Sequence, residues 1–241
     1  MLISLGNFFF RHRNWLLAVV MIGLFVAFRP TYPRGSAHLD AWLDVAGIAV
    51  ILAGQSLRAL TIGLAYIVRG GQQGQVYAKR LVTEGLFNHC RNPLYVGNIM
   101  VYLGLFIIFN NPVVYLIGVP FILLLYVSIV AAEEEYLRGK FGPEYVDYCS
   151  RVSRWLPRLG GLHKTMEGMT FSWLRVLLRE YSSTYTWVSG ALALLAYEGL
   201  AHSTAEMERT RLIVLAGIWV AVTIVWAVVR YLKLSGRLQA H

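Results

Sequence analysis

The chain has 241 residues, 57% of them hydrophobic and 15% charged, with a mean hydropathy of +0.54. That balance excludes an ordinary soluble domain and predicts an integral membrane protein with several spans. The net charge of +9, from 22 basic and 13 acidic residues, suits anionic lipid headgroups better than nucleic acid, because no basic face with interleaved aromatics stands apart from the apolar runs.

In chain order, Met1 to Asn14 carries Phe8, Phe9 and Phe10 beside Arg11 and Arg13, an aromatic and basic flank to a first span over Trp15 to Phe28. No small-residue cleavage site follows that span, so the segment is not read as a signal peptide. Arg29 to Asp40, with Pro30, Pro33 and Gly35, is a turn-rich loop. The second apolar run, Ala41 to Val68, is long enough to cross a bilayer at roughly 20 residues per span. It contains Gln55 and Arg58, and a guanidinium at that depth either snorkels or pairs inside the bundle, or lines a polar cavity. Arg69 to Gln75, RGGQQGQ, lacks phosphate-loop spacing and is expected to be a flexible connector.

Leu94 to Phe109 and Val113 to Ala132 form a third and a fourth span, joined by a tight turn at Asn110, Asn111 and Pro112. That antiparallel pair brings Arg91 and Glu133 to one membrane face. At the end of the fourth span stand Glu133, Glu134 and Glu135, with Glu134 placed to pair with Arg138 at i, i+4. Gly142 and Pro143 break the helix and restart it, Pro143 suiting the first helical position. Tyr145 and Tyr148 then share a face with Arg151. They either pack the segment against the membrane surface or form a wall that returns Arg151 to the carboxylates. Gly160 and Gly161 mark a junction, and Lys164 to Tyr181 has the pattern of an amphipathic helix lying on the membrane. Fifth and sixth spans follow, about Thr186 to Ala201 and Leu212 to Tyr231, with Glu198 read as interfacial. Cys90 and Cys149 are too few for a disulfide framework and match no metal-ligand spacing, so both are read as reduced thiols and no metal is predicted.

Lys79, Arg80 and Arg91 precede the third span, and Arg138, Lys140, Arg151, Arg154 and Arg158 follow the fourth. Arg230, Lys233 and Arg237 close the chain. By the positive-inside rule these segments and both termini are cytoplasmic, in an inner or plasma membrane. The expected fold class is therefore all-α, a polytopic membrane helix bundle of about six spans with a cytoplasmic-face cofactor site. Three regions are expected: N-terminal spans and connector (1–80), a signature core with its helical hairpin (81–159), and a C-terminal amphipathic helix and span pair (160–241).

The signature, LVTEGLFNHCRNPLYVGN followed after two apolar runs by EEEYLRGKFGPEYVDYCSRVSRWLP, resembles the isoprenylcysteine carboxyl methyltransferase and phospholipid methyltransferase group of membrane enzymes. The resemblance rests on Leu81, Val82, Thr83, Gly85, Phe87, Arg91, Pro93, Tyr95 and Gly97. It continues through Glu133, Glu134, Leu137, Phe141, Gly142, Tyr145, Tyr148, Arg151, Val152 and Pro157. It implies S-adenosylmethionine as methyl donor and a lipophilic small-molecule or lipidated acceptor arriving from the bilayer. On this basis Glu133 or Glu134 pairs the donor's ammonium and Arg91 its carboxylate, with Leu81, Val82, Thr83, Gly85, Pro93, Tyr95 and Gly97 around the donor. Tyr145, Tyr148 and Arg151 then face the acceptor, and Arg151 and Glu134 carry the catalytic roles. The group's histidine before Pro93 is Asn92 here, which keeps a hydrogen-bond donor and acceptor but no titratable charge. His89, one turn upstream, is a candidate to compensate. Two other readings stay open: a sterol-type reductase using NADPH, and an inactive lipid- or cofactor-binding membrane protein.

Overall fold

A computed structural model describes residues 1–65, 69–72, 75–78, 80–158, 160–167, 169–202 and 205–238. Lys79, Leu159 and the side chains of Glu206 and Glu208 lie outside the described residues. Six long helices make the bundle: α1 (Leu2–Ala27), α2 (Ala37–Leu64), α3 (Pro93–Phe109), α4 (Pro112–Phe141), α7 (Trp173–His202) and α8 (Ala205–Leu234). Two short ones, α5 (Pro143–Arg151) and α6 (Leu162–Met166), lie between α4 and α7. By length and composition α1, α2, α4 and the Arg209–Leu234 part of α8 can each cross a membrane, and α3 is a shorter apolar helix of 17 residues. The helix ends follow local chemistry. Ser36 caps α2 through the Leu39 amide, Asn111 caps α4 through Val113 and Val114, and Asn110 adopts the left-handed conformation that closes the α3–α4 turn.

The connector predicted to be flexible instead contains an antiparallel pair, β1 (Arg69–Gln72) with β2 (Gln75–Ala78). The Lys140 ammonium donates to the Ala78 carbonyl at 2.5 Å. The predicted amphipathic helix over Lys164 to Tyr181 is not continuous. It divides into α6 and the first turns of α7, and α7 runs unbroken from there into the fifth apolar segment. Ser172 donates its amide to the Gly63 carbonyl at 3.0 Å and Phe171 packs on Gly63, which docks the start of α7 on the end of α2.

Two antiparallel pairings organise the helices, and small residues set their spacing. Along α2 and α3, Gly47 faces Gly104 and Gly54 faces Gly97; a Cβ on Gly104 would lie 2.5 Å from the Gly47 carbonyl oxygen, and one on Gly97 2.7 Å from that of Gly54. Backbones meet directly along this seam, as they do where membrane helices associate through small residues. α1 lies against α4, with Gly6 under Ser128 and Phe9 edge-on to Phe121. The apolar core between these pairs holds Phe106, Phe109, Ile122, Leu125 and Ile129. α8 packs mainly on α7 and presents Ile213, Ile218, Val225 and Val228 outward, the surface expected of a helix whose solvent is lipid.

Gly104→Ala is expected to push α2 and α3 apart. Overpacking of this kind costs about 1–3 kcal/mol, read as a lowered unfolding temperature of the detergent-solubilised protein. An unchanged unfolding temperature would show that the seam tolerates a methyl group.

Candidate functional site

One end of the bundle gathers the start of α1, the end of α2, the start of α3, the end of α4 and the start of α7 around a cavity of about 500 Å³. That volume lies within the range of small-molecule sites. Its wall includes Arg13 from α1, Arg58 from α2, Arg91, Asn92, Tyr95 and Asn98 around the start of α3, Tyr126 and Glu133 from α4, and Arg175, Arg179, Glu180 and Ser183 from α7. Arg91 and Glu133 therefore do meet at one end of the α3–α4 pair.

Glu133 accepts the Tyr95 hydroxyl proton at 2.7 Å. Arg58 both lines the cavity and pairs inside the bundle: its guanidinium makes a two-pronged contact with Glu180, at 2.8 Å through Nε and 2.7 Å through Nη2. Asn98 also accepts from Arg58. Gln55 donates to Glu180 at 3.1 Å and accepts from the Trp187 indole at 2.9 Å, extending the network along α7. Glu180 was not among the predicted site residues. The signal was present, because an arginine within an apolar span requires a counter-charge, but nothing in the sequence indicated which carboxylate would reach it.

Glu134 lies beside this wall and is not among the lining residues. Its oxygens take Arg154 Nε at 3.2 Å and Nη2 at 2.6 Å, stand 3.6 Å from Arg91 Nε, and accept from Asn92 Nδ2 at 3.4 Å. The carboxylate holds two arginines in place and does not point into open space. The predicted Glu134–Arg138 pair does not form; Arg138 turns to Glu135 at 3.3 Å.

Arg151 departs from its predicted place. It is exposed and pairs with Asp147 at 2.5 Å on the outside of α5. The reason is local: α5 ends at Arg151, Val152 is extended, and the chain turns back so that Arg154, three residues on, reaches the carboxylate. Tyr145 and Tyr148 are likewise buried in a cluster with Ala78, Leu137 and Val152, and the Tyr148 hydroxyl donates to the Phe87 carbonyl at 2.6 Å. Neither ring lines the cavity; both pack inside this protein cluster. They support the loop that carries Phe87.

That loop contains the first signature block. Val82 packs with Ala65 and Phe87, of which the last two line the cavity. Leu81 packs on the tyrosine cluster, and Gly85 takes a φ of +60° that favours glycine. Leu81, Val82, Thr83 and Gly85 thus lie behind the wall. Pro93 is the first residue of α3, and Gly97 is part of the glycine seam against Arg58. His89 is spent elsewhere: its ring nitrogens meet the Arg158 carbonyl at 2.7 Å and the Thr165 hydroxyl at 2.8 Å, tying the loop to the chain beyond α5. Asn92 itself lines the cavity and donates to both Glu134 and the Arg154 carbonyl. Burial pushes the Cys90 thiol above its ordinary range, as suits a packed and unreactive sulfur.

A helical membrane bundle with a charged cavity at one end, built around the signature, is the class this arrangement defines. Residues 43–144 match the family model described as phospholipid methyltransferase. Similar proteins include the cobalt-zinc-cadmium resistance protein CzcN of Cupriavidus metallidurans, 28% identical over 65% of this chain and 68% of that protein. Protein-S-isoprenylcysteine O-methyltransferase of Rattus norvegicus is 29% identical over 50% of this chain and 43% of its own length. The B form from Arabidopsis thaliana is 26% identical over 48% of this chain and 60% of its own length. No solved structure matches. Over residues 43–144, and over about half of the chain in the two O-methyltransferases, the similarity is thus to the isoprenylcysteine carboxyl methyltransferase and phospholipid methyltransferase group that the signature resembles.

Glu134→Gln leaves Arg91 and Arg154 without their shared counter-charge and is expected to cost about 2–3 kcal/mol of stability, allowing for the half-exposed Arg154. Arg151→Ala removes only an exposed pair and should cost less than about 1 kcal/mol. Thermal unfolding of both variants checks the ranking, and equal losses would contradict it.

Proposed function

We infer that this protein is an S-adenosylmethionine-dependent methyltransferase acting on a lipophilic acceptor at the cytoplasmic membrane face. The observation that carries the reading is the presence of a carboxylate, Glu133, and a guanidinium, Arg91, in the wall of one cavity inside the family-matched segment. The donor is a zwitterion with a further sulfonium charge, and these residues fit it. Arg91, whose Nε is ion-paired with Glu134 at 3.6 Å, also lines the cavity and brings guanidinium charge to a ligand carboxylate. Glu133, held by Tyr95, presents negative charge to an ammonium. The bound cofactor would supply an electrophilic methyl group.

The chain's own contribution is position and dryness. Tyr95, Tyr102 and Tyr126 from α3 and α4 give the cavity an aromatic floor, and Phe10 and Leu17 of α1 close it towards the apolar side. Holding donor and acceptor in line, away from bulk water, supplies most of what a direct displacement needs. Five arginines and two glutamates line the cavity. That excess of positive charge favours a carboxylate acceptor of the isoprenylcysteine kind, which needs no general base, over a phospholipid amine, which must lose a proton. Arg179 of α7, in the same wall, would orient such a carboxylate. The orientation follows from the Lys and Arg distribution near the helix ends. The reductase and inactive-binder readings are not favoured, because the matched family and two of the relatives described above are methyltransferases.

Calorimetric titration of the purified protein with S-adenosylhomocysteine should give micromolar binding, weakened about tenfold or more in Glu133→Gln by loss of a charge-assisted contact. NADPH should give no heat. Binding of NADPH in place of S-adenosylhomocysteine would overturn the proposal.

A further inference from the structure

Glu198, read from the sequence as interfacial, is buried within the bundle, at 2% exposure, in a second polar centre at its other end. Asp40 and Asp44 stand one turn apart near the start of α2, and Glu198 comes from the last turns of α7. Along α2, Asp44 and the cavity residue Arg58 are separated by about 21 Å of helix. Oxygens of the three carboxylates lie within 4.8 Å of one another. Asp40 is 5% exposed, and its Oδ1, the Oδ1 of Asp44 and both oxygens of Glu198 have no hydrogen-bond partner.

Among the described residues, the cation that reaches this cluster is Arg211 of α8, at 3.6 Å from Glu198 and 4.0 Å from Asp44. Those separations are too long for hydrogen bonds, and one guanidinium faces three carboxylates. The contrast lies within the same molecule: Glu134 and Glu180 each receive an arginine at 2.7 Å or closer, with further donors beside it. Among the described residues, the other buried carboxylates are satisfied, and these are not.

We propose that Asp40, Asp44 and Glu198 form a divalent-cation site. The donors are all carboxylate oxygens, which select hard ions such as Mg²⁺, Mn²⁺ or Ca²⁺ over the ions that favour imidazole or thiolate. A bound ion supplies the missing ligation to the orphaned oxygens and offsets the repulsion among three like charges. Asp44 and Arg211 are partly exposed, at 18% and 38% of their side chains, which leaves the ion a path from solvent. The ion clamps the beginning of α2 to the end of α7, the two helices whose other ends meet through Arg58 and Glu180. This site is independent of the methyl-transfer reading.

The test is titration of the metal-stripped, detergent-purified protein with manganese chloride, with free Mn²⁺ followed by electron paramagnetic resonance. Saturable uptake is expected, competed by Mg²⁺ or Ca²⁺ and lost in Asp40→Asn and Glu198→Gln. Arg211→Gln removes a positive charge about 4 Å from the carboxylates and should tighten Mn²⁺ binding by about tenfold. Because that variant keeps all three carboxylates, it decides the matter even where the others fail to fold. No saturable uptake by the natural protein, or an affinity indifferent to Arg211→Gln, overturns the proposal. So would Asp44→Asn raising the unfolding temperature while added cations leave the natural protein's unchanged, since the carboxylates would then simply repel or carry protons.

Discussion

The buried carboxylate of Glu134 is the point on which the cavity end of the molecule depends. It ties the end of α4 to Arg91 and Asn92 at the start of α3 and to Arg154 beyond α5. Three stretches of chain that are far apart in sequence are thereby held to a single position. A carboxylate in that setting cannot do without its partners, because an uncompensated charge away from water costs several kcal/mol, and the arginines cannot do without it for the same reason. Arg91 consequently faces the cavity from a fixed base. The Arg91 amide, bound to the Ser153 carbonyl at 2.9 Å, repeats the connection through the backbone.

The same physics explains why the polar groups collect at the two ends of the bundle. Between the ends, contact is made by glycine against backbone and by aromatic and aliphatic packing, which suits a lipid solvent that gives helices no hydrophobic reason to associate. At the cavity end, each buried carboxylate has its donor: Glu180 has Arg58, Glu134 has Arg154, and Glu133 has the neutral hydroxyl of Tyr95. α7 is part of this end although it lies beyond the family-matched segment, so the cavity is completed by a helix that the family pattern does not describe. At the opposite end the three carboxylates of Asp40, Asp44 and Glu198 lack equivalent donors, and that difference distinguishes a satisfied structural network from a place that invites an ion.

Where reading residues along the chain succeeded, the cause was local. Asn110 and Asn111 signal a turn through their own side chains and tolerance of positive φ, and Gly142 before Pro143 signals a break, Gly142 having a φ of +51°. Where it failed, the cause was periodicity taken beyond its range. Tyr145 and Tyr148 lie about 60° apart around a helix but Arg151 about 120° from Tyr145, so in α5 the tyrosines are buried while the arginine is exposed. Lys164 to Tyr181 has amphipathic spacing, yet the chain breaks between α6 and α7 to allow Phe171 and Ser172 to dock on Gly63.

The sequence by itself determined that this is a helical membrane protein and where the α3–α4 turn and the α4–α5 break fall. Those properties depend on hydropathy, capping and backbone preference, which are decided within a few residues. Only the tertiary structure decided which charges face one another. Glu180 meets Arg58, Arg154 takes the place beside Glu134 expected of Arg151, and Glu198 joins Asp40 and Asp44. Such choices follow from helix rotation and depth set by the glycine seam, and no spacing along a single helix encodes the side chain that a neighbouring helix will bring.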